Sequence, residues 1–172
     1  MNPKQITRIR PLALADIDAI MQIQSACYPA SLLEDAAHLA AKHQQSPASC
    51  WVAVHQDEVF AYLLTHPWAS DTPPDLNTPL PPAIPNSFIH YIHDLAVHPK
   101  AQGLGLARQL LDAALSWSKQ QPFTHIRLVA IAGAEPFWLK QGFTPISPLN
   151  EKIIRKLSSY GPNTHYLEVS LK

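Results

Sequence analysis

Apolar and polar residues alternate in ITRIRPL (6–12), the period of a half-buried strand, so this segment predicts the first β-strand. The period then lengthens. Ile17, Ile20, Met21, Ile23 and Gln24 form a helical stripe with Asp16 near its start, and Pro29 ends it. SLLEDAAHLAAKHQQ (31–45) predicts a second helix, opened by a capping box of Ser31 with Glu34. SCWVAVH and EVFAYLLTH return to strand patterning on either side of a QDE turn, a hairpin. FIHYIHDLAV (88–97) is a strand stopped by Pro99, and LGLARQLLDAALSWSKQ (104–120) is a helix burying Leu106, Leu110, Leu111, Ala114, Leu115 and Trp117. HIRLVAI (125–131) is apolar on both faces toward its end, as a central parallel strand must be. AEPFWLKQGF (134–143) predicts a short helix stopped by Gly142, and NTHYLEVSLK (163–172) predicts the last strand. The pattern is that of a mixed α/β domain with one β-α-β crossover at 88–131.

The segment 67–87 breaks this regularity with seven prolines, which exclude helix or central strand. A long loop of this kind in a compact domain predicts a wall or lid over a pocket.

Length and composition narrow the class. A chain of 172 residues suits one domain that buries its apolar surface without disulfides or metal. The 13 basic and 13 acidic residues balance, and no basic patch points to nucleic acid. Cys27 and Cys50 sit in apolar surroundings and read as reduced core thiols. The first twenty residues hold no apolar run long enough for a signal peptide or a membrane span, so a soluble, cytoplasmic protein, monomer or homodimer, is expected. Nine histidines are scattered without H-x-x-x-H or C-x-x-C spacing, and His90 and His93 fall on opposite faces of their strand, so no metal site is expected.

The chemistry concentrates in HDLAVHPKAQGLGLARQLL (93–111). A strand runs into a proline, then two glycines, then a helix. Gly103, Gly105 and the small Ala107 let an anion approach the backbone closely, and the helix adds free N–H groups and its dipole. Gln102 is neutral, so such a turn relies on N–H donors more than on formal charge.

Four features in this order resemble the GNAT superfamily of N-acetyltransferases over about residues 6–146: the strand ending LAVHP, the Q-x-x-G-x-A turn at 102–107, the amphipathic helix after it, and PFWLKQGF after the next strand. The resemblance implies a single α/β domain over 1–172. Its sheet would be mixed and mostly antiparallel, flanked by helices, with a central parallel pair splayed to hold acyl-CoA. It implies acetyl-CoA as co-substrate. Leu95, Ala96 and Val97 would line the pantetheine arm, with a backbone N–H of that strand polarising the acetyl carbonyl. Gln102, Gly103, Leu104, Gly105, Leu106, Ala107 and Arg108 would hold the pyrophosphate, with Phe137 and Trp138 also at the cofactor.

HYIHDLAVH and PFWLKQGF are most similar to the arylalkylamine (serotonin-acetylating) members. That likeness implies transfer to a small primary amine, arylalkyl or polyamine. His93 falls on one histidine of that group and Tyr91 on the position of a second. An imidazole suits proton removal from the ammonium, so His93 is the expected general base. Asp94 is an alternative base or an anchor for the ammonium, provided a bulge turns it to the same face. Tyr28, Tyr91 and Trp68 are the expected acceptor-binding residues, and Tyr166 a further hydroxyl. Trp138 stands where that group has a tyrosine acid, and indole has no proton to give at useful pKa. The alternatives are an acyl-CoA-binding module with lost catalysis and a protein or peptide N-terminal acetyltransferase.

Overall fold

The structure, a computed structural model, describes residues 7–82 and 86–172. Residue 6 of the first predicted strand and residues 83–85 of the proline-rich segment lie outside the described residues. Seven strands form one sheet: β1 (Thr7–Pro11), β2 (Trp51–His55), β3 (Glu58–Trp68), β4 (Ile89–Val97), β5 (His125–Ala130), β6 (Thr144–Pro145) and β7 (His165–Ser170). Their order across the sheet is β1-β2-β3-β4-β5-β7-β6, and every pairing is antiparallel except β4 with β5. The predicted hairpin closes through Gln56 and Asp57, both at positive φ, the twist a two-residue turn requires.

Helices cover both faces. On one lie α1 (Ile17–Cys27) and α2 (Ala36–Gln45), whose Ile17, Ile20, Ile23 and Leu39 pack on Val52, Tyr62, Leu64 and Ala96. α5 (Glu151–Ser158) shares that side, packing Ile153 and Leu157 against Tyr91 and Tyr166. The other face carries α3 (Leu106–Ser118), whose Leu106, Leu110, Leu111 and Ala114 meet Trp51, Leu63, Ile92 and Leu128. α4 (Glu135–Lys140) places Trp138 in the same cluster.

Two local expectations are corrected. The capping box at Ser31 does not form: Ser31 lies in a short 3-10 turn, α2 starts at Ala36, and Glu34 turns inward. Asp35 takes the N-cap position instead, so Glu34 is free to pair with buried cations. α5 was not expected from the apolar pattern. Asn150 caps it, its side-chain oxygen accepting the Ile153 N–H at 2.9 Å.

Two features of β4 create the site. First, β4 and β5 pair only from Ile89–Ile92 against His125–Leu128, and beyond that the two strands part. Second, the register with β3 steps from Leu64↔Asp94 to Thr65↔Ile92, leaving His93 as the extra residue of a bulge. Side chains therefore change faces there. Ile92 and Leu95 join the α3 cluster, while Asp94 and Ala96 meet α1.

Candidate active site

Where β4 and β5 separate, a cavity of about 190 Å³ opens, with Tyr28, His93, Asp94, Leu95, Trp138 and Tyr160 among its lining. The His93 side chain is only 1% exposed, yet the residue as a whole is half-buried, so its exposed surface is main chain. The edge of β4 that faces the departing β5 thus offers unpaired backbone groups to anything lying in the split.

The floor is a polar network. Glu34 Oε1 is bonded to His93 Nε2. Glu34 Oε2 accepts from Lys42 Nζ at 2.7 Å and from the Asn77 N–H at 2.9 Å. Burial pushes the Glu34 carboxyl up, but His93 and Lys42 together outweigh burial and hold it down at about 2. A carboxylate at Nε2 means that nitrogen carries the hydrogen, which leaves the lone pair of the neutral ring on Nδ1. Among the described residues Nδ1 has no partner.

Asp94 sits beside this pair. Tyr28 donates to its Oδ1 at 2.6 Å, and Tyr62 donates to its Oδ2. Burial raises the Asp94 carboxyl although both phenols oppose it, and burial raises both phenols well above the ordinary tyrosine value. Tyr28 also reaches the Leu95 carbonyl at 3.2 Å.

The proline-rich segment is a wall. Its Leu76 lines the cavity, and its Asn77 N–H completes the Glu34 carboxylate. Side chains fasten it on both flanks: Lys42 to the Thr78 carbonyl, Tyr160 to the Pro74 carbonyl, and Lys156 to Asp75 at 2.5 Å.

At the other end of β4, Gly103 and Gly105 adopt φ of +83° and +73°, and a Cβ at either would meet open space. Gly105 is the N-cap of α3, whose first i→i−4 bond runs from the Gln109 N–H to the Gly105 carbonyl, so the amides of Leu106, Ala107 and Arg108 precede the helix's own acceptors. Arg108 is exposed and holds Asp112 at 2.8 Å and Gln141 at 2.7 Å. This open, donor-rich turn fits a pyrophosphate, and the split strand leading to it fits an extended thiol arm.

The residues expected from sequence fall into three places. His93, Asp94, Leu95, Tyr28 and Trp138 line the cavity. Gln102 to Arg108 form the turn. Ala96 is buried against α1, Val97 packs toward α3, and Phe137 stands edge-on to Trp138 at 5.0 Å. Three aromatic expectations lie off the cavity lining. Tyr91 is buried between His66 and α5, Trp68 lies under the proline-rich segment bonded to the Thr72 carbonyl, and Tyr166 packs beside Arg127. Glu34, read from the sequence as a helix cap, and Lys42, Tyr62, His66 and Tyr160 were not expected at the site. His90 faces α3 through Ser118 while His93 faces Glu34, so the two rings do sit on opposite faces. Among the described residues no cluster of three or more His, Cys, Asp or Glu is placed to hold a metal ion, and no helix is long and apolar enough to cross a membrane.

A model of the acetyltransferase (GNAT) family matches residues 17–143. Among curated proteins the sequence finds no match. Solved structures resemble it in fold. Ard1 from Thermoplasma volcanium is 21% identical with a TM-score of 0.69, the match covering 95% of this chain and 97% of that one. Arabidopsis thaliana Naa50, bound to a bisubstrate analogue CoA-Ac-MVNAL, is 15% identical with a TM-score of 0.67, covering 95% and 98%. N-acetylglutamate synthase from Neisseria gonorrhoeae, complexed with coenzyme A and N-acetyl-glutamate, is 15% identical with a TM-score of 0.64, covering 99% of this chain and 36% of that one.

Proposed function

Because the chain belongs to the acetyltransferase (GNAT) family, we propose that it moves an acetyl group from acetyl-CoA directly to a small primary amine, with His93 as general base. One observation carries this reading. The cavity at the strand split holds His93 oriented by Glu34, and its lining contains two carboxylates, Glu34 and Asp94, but no lysine or arginine. Such a lining favours a cation and disfavours an acceptor bearing its own carboxylate. Leu32, Leu76, Leu128, Val129 and Ile131 supply apolar surface for the body of the amine. Arylalkylamines and short alkylamines fit that description.

The turn at Gly103 and Gly105 would hold the pyrophosphate, and the β4 main chain at Leu95, Ala96 and Val97 the pantetheine arm. When bound, the thioester supplies the electrophilic acyl carbon. An N–H of the free β4 edge is suited to the carbonyl oxygen. Glu34 keeps the hydrogen of His93 on Nε2, so Nδ1 is the atom that accepts the amine's proton. Trp138 has no proton to give. Tyr28 and Tyr160 are both raised by burial, which makes them poorer acids. His93, once loaded, is the group in the lining best suited to return a proton to the departing sulfur.

The test is release of coenzyme A thiol with a panel of amines, polyamines, amino acids and peptides. Small amines are expected to react best. His93→Ala is expected to lower kcat by about a hundred- to a thousandfold while acetyl-CoA affinity stays unchanged. Turnover confined to peptides would move the acceptor to a protein N-terminus, and no turnover with any acceptor would reduce the chain to an acyl-CoA-binding module.

A further inference from the structure

A second buried imidazole faces the first. His66, on β3 opposite Tyr91, is 0% exposed, and its ring centroid lies 5.9 Å from that of His93. Its Nδ1 is 2.9 Å from the Pro67 carbonyl, an acceptor, so Nδ1 carries the hydrogen and Nε2 the lone pair. Among the described residues Nε2 has no partner. The same is true of His93 Nδ1. Two neighbouring rings thus each bury one unsatisfied acceptor, and neither can satisfy the other. Buried acceptors require a donor, and a pair of them suits a molecule with two hydrogens to give.

We propose that His66 and His93 hold one buried water between them and that this water carries the amine's proton to His93. The inference rests on the reading of His93 as base. In the resting arrangement the water donates one hydrogen to His93 Nδ1 and the other to His66 Nε2, leaving its own lone pairs for the ammonium. In transfer, an N–H bond of the ammonium breaks as an O–H bond forms. The O–H bond toward His93 breaks as Nδ1–H forms. The water remains neutral, still donating to His66 and now accepting from His93. His66 never changes protonation and is a positioning residue.

The surroundings agree with these roles. The titratable groups around the two rings are Glu34 ahead of α2, Lys42 on α2, His90, Tyr91 and Asp94 on β4, and Tyr160 after α5. Glu34 contacts His93 directly. Among the described residues His66 has no carboxylate partner, and burial first, then the charge of His93, push it down to about 3. His66 therefore stays neutral and remains an acceptor.

The test is a histidine ¹⁵N NMR titration of the full chain without ligand, beside kinetics. In His66→Leu the midpoint of His93 should fall by about one pH unit, a tenfold loss of proton affinity. The kcat at neutral pH should fall by a similar factor, with KM for the amine held. His66→Gln, whose amide oxygen can still accept from the water, should recover most of both. A folded His66→Leu protein with an unmoved His93 midpoint overturns the proposal, as do Leu and Gln variants that behave alike. If the wild type acetylates no amine, the titration still decides whether the two rings are joined through water.

Discussion

At the start of α3 the site is made of main chain, whereas at the floor of the cleft it is made of side chains. The glycine turn offers amides from six consecutive residues, 103–108, and its geometry is set locally by two positive φ angles. The floor gathers Glu34, Lys42, His66 and the adjacent pair His93 and Asp94 from four separate stretches, and its geometry is set by charge and burial. The difference teaches where each end is fragile. A main-chain site fails when something fills it, and the rest of the fold hardly notices. A buried charged network fails when one member leaves, and the fold notices first.

The largest expected effect lies at the turn. Gly105→Glu puts a side chain at φ +73° and a negative charge where phosphate would sit, and should weaken acetyl-CoA binding about a thousandfold or more, ~4 kcal/mol. Calorimetric titration measures it, and the melting temperature should move little. Undiminished binding would detach the turn from the cofactor. Next comes Glu34→Gln, which leaves Lys42, 1% exposed, beside a neutral amide. It should destabilise the protein by ~3 kcal/mol in denaturant unfolding, whatever the salt. A cost under about 1 kcal/mol would mean the floor is far wetter than its burial indicates.

A further effect is spread over pH. Burial lowers both His66 and His90 from the usual 6.5 to about 3. Between those values the unfolded chain binds two protons that the folded chain refuses. Stability is therefore full above pH 6.5 and falls as the pH drops toward 3, by about 1.4 kcal/mol per unit for each histidine. Glu34 acts in the same direction lower down, its contribution present above pH 4.5 and lost as the pH falls to about 2. Unfolding curves at pH 7, 6 and 5 should show the two-histidine slope, and His90→Phe should halve it.

The same contrast explains how much could be read from the chain. The turn was legible because glycine, small residue and helix follow one another, and β4 with its histidines was legible by alternation. Even the bulge at His93 was foreseeable as the condition for Asp94 to join the site. The floor was not legible. Glu34 three residues after Ser31 looks like a helix cap, and only the approach of Lys42 and His93 from elsewhere turns it inward. Nothing beside His66 in sequence marks it as a neighbour of His93, 27 positions on. Aromatic content misled in a similar way: Trp68 and Tyr91 flank the cavity without lining it, since the proline-rich wall and α5 occupy the space between. α5 itself left a readable signal in Asn150, Glu151 and the Arg155-Lys156 pair, a cap and charges matched to the helix dipole.

The single extra residue at His93 also acts as a phase slip along β4. Before it, odd-numbered residues, Tyr91 and His93, look toward the face that carries α1, α2 and α5. After it, even-numbered ones, Asp94 and Ala96, do so. Two reading frames meet at His93. Straightening the bulge with every residue kept would turn Asp94 toward α3 and Leu95 toward α1, exchanging a carboxylate for a leucine on both faces at once. Any graft of this strand between proteins must therefore keep the slip and its partner step at Leu64–Thr65 together, because half of the strand has meaning only relative to it.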